Sequence, residues 1–280
     1  MYKRQYLKTE QILKHGQRPV GSENLKKVRE ELIEAFEKVH WSVIEQTFTD
    51  RTPRGPREFT NLVIRYNPKG LSKELLWNRP IEGILGAHLD SKEMEGIEFV
   101  GADDAASAVG AIVEIATYLD LHNPQMASSL ELVLFDGEEA FGESFTMRSA
   151  LFGSRKYAQL VDRSYSQKPR YAMILDMIGH RDFQMAIPTD CDRGLVKDLF
   201  KIVKLEGQED RYRMAASSIM DDHTPLIRMA RIPSINLLGD FANTSWWHTS
   251  KDNFEIISKE SLGANIRIAL RMLLAQYERS

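Results

Sequence analysis

The chain has 280 residues, 42% of them hydrophobic and 28% charged. That balance supports a soluble globular fold with a large core, and it excludes disorder, collagen-like repeats and a membrane-spanning architecture. Lys and Arg number 37 against 40 Asp and Glu, a formal net charge of −3. No basic surplus is available to hold a phosphate backbone, so nucleic acid is not an expected partner. The length is within reach of one large α/β domain, and residues 1–280 are read as a single unit.

The amino terminus, MYKRQYLKTEQILKHGQRP, is basic but has no apolar stretch of signal-peptide length, and no later run approaches what a bilayer requires. A chain that starts at Met1 is expected in the cytoplasm; a periplasmic or secreted protein trimmed of its export signal would read the same. Ser22 can cap a helix in which Leu25, Val28, Leu32, Phe36 and Val39 recur at spacings of three and four. Val43 to Phe48 and Asn61 to Tyr66 read as an antiparallel hairpin across a turn of several residues containing Thr52, Pro53, Gly55 and Pro56.

Four further apolar runs read as strands buried on both faces: Ile81 to Ala87, Leu130 to Phe135, Ala172 to Leu175 and Ile232 to Leu238. Helical patterns separate them, at Ala105 to Leu119, Ser154 to Val161, Gly194 to Leu205 and Thr224 to Met229, with a last helix from about Ser258 to Gln276. This alternation predicts a three-layer α/β/α fold with a mostly parallel, mixed central sheet and the hairpin as its antiparallel edge. The single cysteine, Cys191, cannot form an intrachain disulfide and is read as a small packed residue.

In open α/β sheets, ligands gather at the carboxyl ends of the strands. Each buried run here ends near a titratable side chain: His88 and Asp90 after the first, Asp136, Glu138 and Glu139 after the second, Asp176 after the third, and Trp246, Trp247 and His248 in the loop beyond the fourth. Asp103 and Asp104 stand at the start of a helical segment. Taken singly these residues have ordinary roles. Asp104 would be a helix cap, the two glutamates a solvated pair, the tryptophans core aromatics, and His15, His40, His122 and His180 surface or hydrogen-bonded residues. Their coincidence at one rim changes the reading. Adjacent carboxylates leaving a buried strand need a compensating charge, and oxygen donors with imidazole but no thiol point to a catalytic zinc with an open position.

The motifs HLDSK at His88, FVGADDAASA at Phe99, FDGEEAF at Phe135, LFGSRKYA at Leu151, DDHTPL at Asp221 and WHTSKDN at Trp247, with RPVGS at Arg18, together resemble the zinc-dependent glutaminyl cyclases of animals and some bacteria. These enzymes share their fold with the co-catalytic zinc aminopeptidases. The resemblance implies zinc ligands Asp104, Glu139 and His248, with Glu138 as general acid/base and Asp176 and Asp221 in a hydrogen-bonded carboxylate network with it. It implies that Trp247 walls a substrate pocket to which Phe241 and Met220 also contribute. His88, Asp176 and Asp90 match a second metal site or its supporting residues; one zinc is expected and two remain open. The implied reaction closes the N-terminal glutamine of a peptide or protein into pyroglutamate and releases ammonia. The implied partners are such peptides, with no nucleic acid or membrane, and the chain is expected to be a monomer.

The chain departs from the animal enzymes in places. Ala87 and Val109 stand where those have a disulfide, Gly142 to Phe145 where they have a pocket tryptophan, and Met220 where they have a glutamine. A two-zinc aminopeptidase is the alternative enzyme, with Glu138 activating a water. A peptide-binding relative without turnover is the alternative outside enzymes.

Overall fold

An antiparallel hairpin and a set of parallel buried strands build the sheet, in a computed structural model that describes residues 4–142, 144–242 and 244–279. Its six strands run in the order β1-β2-β4-β3-β5-β8: β1 (Trp41–Thr52), β2 (Gly55–Tyr66), β3 (Gly83–His88), β4 (Leu130–Phe135), β5 (Tyr171–Asp176) and β8 (Ser234–Leu238). β1 pairs antiparallel with β2 and β2 with β4, whereas β4–β3, β3–β5 and β5–β8 are parallel. This is the mixed sheet with an antiparallel edge that the alternation of elements predicts. A two-stranded ribbon, β6 (Met185–Ile187) with β7 (Tyr212–Met214), lies beside the end of β8, where Met185 bridges to Gly239.

Side-chain alternation along the strands divides the core. Leu130, Leu132 and Leu134 of β4, with Met173 and Leu175 of β5, join the larger cluster, to which α1 (Arg4–Leu13), α2 (Glu23–Glu37), α4 (Ala108–His122), α7 (Arg193–Leu205) and α9 (Lys259–Tyr277) contribute. Val133 and Phe135, with Ala172 and Ile174, face the other way onto α6 (Phe152–Ser164) and the helical turns of 223–230, which begin with α8 (His223–Pro225). The period of two thus places helices on both faces of the sheet. Short helices α3 (Lys73–Trp77) and α5 (Pro124–Ser128) lead into β3 and β4. Among the described residues, no helix is long and apolar enough to cross a membrane.

Two local readings change, and one further element appears. The hairpin ladder runs to Thr52 opposite Gly55, leaving the two-residue turn Pro53–Arg54 where a longer one is expected. Thr52 Oγ1 closes it by donating to the Gly55 carbonyl at 2.7 Å and accepting the Arg54 N–H, while Gly55 supplies the positive φ of 93°. The basic N-terminal segment forms α1, which buries Gln5, Thr9 and Ile12. Gly110 of α4 makes this possible, since a Cβ there would lie 2.5 Å from Thr9 Oγ1. The segment expected to be a regular helix from Ala105 starts instead as a kinked turn, residues 102–107, in which Asp104 has φ −104° and ψ 83°.

Leu132 lies fully buried in the middle of β4. Leu132→Ala is expected to lower unfolding stability by about 2–5 kcal/mol, read from urea denaturation; a loss below 1 kcal/mol would contradict the central place given to β4.

Candidate metal centre

Because β3, β4, β5 and β8 run parallel, their carboxyl ends share one rim. His88 is the last residue of β3 and Asp176 the last of β5, Glu138 and Glu139 leave β4 just after Phe135, and the loop after Leu238 of β8 brings Phe241, Trp247 and His248. The kinked turn before α4 lowers Asp104 into the same space. His248 Nε2 lies 3.6 Å from Asp104 Oδ2 and 3.5 Å from Glu139 Oε2, and donor atoms of Asp104, Glu139 and His248 all fall within 4.8 Å of one another. His88, Asp104 and Asp176 form a second group of the same compactness, with His88 Nε2 at 3.0 Å from Asp104 Oδ1 and 3.5 Å from Asp176 Oδ1. Asp104 belongs to both.

This donor set suits a divalent cation. Glu139 Oε1 and Asp176 Oδ1 are buried without a hydrogen-bond partner, and orphaned anionic oxygens at this depth require a positive charge. Lys92 Nζ supplies one cation, 3.2 Å from Glu139 Oε2. Cys191 takes no part: burial pushes its thiol up to about 12, and its sulfur accepts the Asn236 N–H.

The loops that carry these residues are held by buried charges. Asp90, expected to orient His88, does lie near it, with its backbone carbonyl 3.1 Å and a carboxylate oxygen 3.5 Å from Nδ1. Its carboxylate also accepts the backbone N–H groups of Gly137, Glu138 and Glu139 at 3.0, 3.1 and 3.3 Å, and so fixes the turn that presents both glutamates. Asp103 does the same for the loop after β5, accepting from Gly179 at 2.6 Å and His180 at 3.2 Å. Arg18, wholly buried, donates to the carbonyls of Leu89, Val100 and Gly101, which joins the His88 and Asp104 loops. Burial pulls its guanidinium down to about 10, against the opposing pull of Asp252, Asp90 and Asp104.

The carboxylates are not equivalent. Burial raises Glu138 well above the usual range, and Asp221 and Glu139 add to the shift while His88 opposes it. Burial, with Asp104 and Asp221 nearby, also raises Asp176. Glu139 goes down: burial works against it, but the hydrogen bond to His248 and the charge of Lys92 prevail. Two neighbours therefore favour a proton while the third favours ionisation, which is how carboxylates in one site divide between proton transfer and metal binding.

Asp104, Glu138, Glu139, Asp176, Met220, Asp221, Phe241, Trp247 and His248 line one cavity of about 570 Å³, and His88 and Asp90 lie beneath it. Asp221 accepts from Asn236 Nδ2 at 2.6 Å and from the Asp222 N–H, and Asp176 faces His88. Asp221 lies close enough to both Glu138 and Asp176 for its charge to raise their proton affinity. The Trp247 ring stacks on His248, centroids 3.8 Å apart, and Phe241 packs 4.6 Å from Trp247. Phe145 lines the mouth; Glu143 and Asn243, within the two loops singled out for the pocket, lie outside the described residues.

The histidines read as structural fall elsewhere: His15 pairs with Glu31, His40 with Asp120, His122 leans on Tyr118 and His180 stacks on Trp246. Residue patterns alone missed Lys92, and gave Asp103 and Arg18 no role. Lys92 lies inside the HLDSK motif, where a basic residue after two candidate ligands was the available signal.

A mostly parallel sheet whose rim gathers carboxylates and imidazoles around one open-mouthed cavity defines a metal-dependent enzyme on the aminopeptidase scaffold. The chain belongs to peptidase family M28, whose sequence profile matches residues 62–273. It is 26% identical over 294 residues to the glutaminyl-peptide cyclotransferase of Dictyostelium discoideum, across 91% of this chain and 80% of that one. The Drosophila melanogaster protein of the same name is 28% identical over 285 residues, across 93% and 77%. The crystal structure of an Acidobacteriales bacterium glutaminyl cyclase superposes with a TM-score of 0.86 at 25% identity, covering 100% of this chain and 95% of that one.

Arg18→Leu removes the donors of three buried carbonyls, each worth about 1–3 kcal/mol when left unpaired. The variant is expected to lose roughly 3 kcal/mol or more in chemical unfolding, and wild-type stability would show that the joint between the His88 and Asp104 loops carries no load.

Proposed function

We propose that the chain is a zinc-dependent glutaminyl-peptide cyclotransferase. One observation carries the reading: a carboxyl group that favours a proton, Glu138, opens into the same aromatic-walled cavity as a compact Asp–Glu–His donor set. The similarity to cyclotransferases over most of the chain supports it. Asp104, Glu139 and His248 hold one zinc ion, whose contribution when bound is Lewis acidity toward the side-chain amide of the substrate.

The substrate is a peptide or protein with N-terminal glutamine. Its α-amine attacks its own side-chain carbonyl carbon, the ring C–N bond forms, and the amide nitrogen leaves as ammonia. Glu138 takes a proton from the attacking amine and returns it to the leaving nitrogen, so no proton is gained or lost overall. Burial, with the charges of Asp221 and Glu139, raises the proton affinity of Glu138 and so makes its ionised form the stronger base; Asp176 lines the same cavity. Trp247 and Phe241 hold the glutamine in its cyclising conformation, where preorganisation supplies roughly 7–11 kcal/mol, and they keep out water that would hydrolyse the amide. Phe145, Met220 and Ile219 surround the next residue of the peptide. The protein acts as a monomer.

A second reading rests on the compact His88–Asp104–Asp176 group, which could take another ion and make the chain a two-zinc aminopeptidase. Substrates and metal content separate the two. A glutamine-initiated peptide should release ammonia, a leucine-initiated peptide should release no amino acid, and purified protein should hold one zinc per chain. Leucine release with two zinc ions would overturn the cyclase. Glu138→Gln is expected to keep zinc and lose about 10²–10⁴-fold in kcat, and an active variant would remove Glu138 from the proton path. His248→Ala should lose the metal, read by elemental analysis after dialysis.

A further inference from the structure

Two of the three proposed donors, Asp104 and His248, sit on loops from distant parts of the chain. Asp252, four residues beyond His248, is wholly buried and is absent from the cavity lining. Its Oδ1 accepts the Asp103 backbone N–H at 2.7 Å and its Oδ2 accepts that of Asp104 at 3.2 Å. Its own carbonyl accepts the Ala102 N–H at 3.2 Å. Three bonds therefore stitch residue 252 to residues 102–104.

The stitch is stiff at both ends. On the His248 side the Asp252 N–H donates to the Thr249 carbonyl, and the backbone N–H and hydroxyl of Thr249 both donate to the Trp246 carbonyl, so residues 246–252 form a self-bonded turn. On the other side Asp104 has non-helical φ and ψ inside the kinked turn. There the regular helical ladder does not orient its backbone, and the carboxylate of Asp252 takes over that task. Gly101, next to this turn, has φ 54°, and a Cβ there would lie 2.0 Å from the Asp104 carbonyl oxygen, so the turn has little room to shift.

We infer that Asp252 is the positioning residue of the metal centre: by bonding the backbone of Asp104 it sets the separation of Asp104 from His248. It touches neither substrate nor metal. The inference rests on the ligand set proposed above, and its test does not depend on which reaction the enzyme performs. Removing a partner that orients a ligand commonly costs 10–100-fold in metal affinity.

Zinc Kd is measured by chelator competition on the full chain, and the visible absorption of the cobalt-substituted protein reports ligand geometry. Asp252→Ala is expected to raise the zinc Kd about 10–100-fold. Asp252→Asn keeps one acceptor oxygen, so it should raise the Kd less and shift the cobalt bands; it also carries the test if the alanine variant does not fold. Asp192→Ala is the control, because Asp192 caps α7 by accepting from Gly194 and Leu195 and should cost stability with an unchanged zinc Kd. A wild-type Kd and unshifted cobalt spectrum in both Asp252 variants would overturn the inference, as would an equal rise in Kd in the Asp192 control. His248→Ala separates the levels. If it keeps wild-type zinc affinity, the ligand set fails and this inference with it; if it loses zinc while the Asp252 variants do not, the inference alone fails.

Discussion

Everything at the rim of this sheet follows from the difficulty of burying negative charge. His88, Asp90, Asp104, Glu138, Glu139, Asp176 and Asp221 are all buried or nearly so, and six of the seven are acids. An isolated carboxylate at such depth is costly, and the molecule answers in three ways. Some oxygens receive backbone N–H groups, as at Asp90 and Asp103. One meets the ammonium of Lys92, and the charge of buried Arg18 acts on Asp90 and Asp104 from a distance. Others, one each on Glu139 and Asp176, are left without a hydrogen-bond partner. The centre is thus defined by the charge that the surrounding protein does not neutralise.

The same arrangement sorts its carboxylates by role. Glu138 and Glu139 are adjacent in sequence and held by one clamp, yet their proton affinities move in opposite directions. Glu139 lies against Lys92 and His248, and Glu138 lies against further acids. One side chain is thereby suited to stay ionised beside a cation and the other to move a proton. A difference of this kind needs no chemical distinction between the residues, only a turn that gives each a different set of charged neighbours.

Much of this could be read from residue order. The strands were legible because β3, β4, β5 and β8 are continuous apolar runs, and the candidate site because a titratable residue follows each of them. The cavity brings together the residues that pattern and family resemblance singled out. What stayed hidden has a common cause. Which backbone N–H a carboxylate meets depends on how two loops pack, and spacing along the chain carries no trace of that, so Asp90 seemed to serve only His88, and Asp103 and Asp252 were given no role. The α1 helix was hidden for a related reason, since it turns polar Gln5 and Thr9 inward. The kink at Asp104 lies in a stretch of alanines whose propensity alone favours an unbroken helix.

Asp104 contributes to both compact donor groups, one with Glu139 and His248 and the other with His88 and Asp176. Its two oxygens face different imidazoles, Oδ1 lying 3.0 Å from His88 Nε2 and Oδ2 3.6 Å from His248 Nε2. The two groups are therefore mechanically linked: a rotation of this one carboxylate that improves its aim at one imidazole alters its aim at the other.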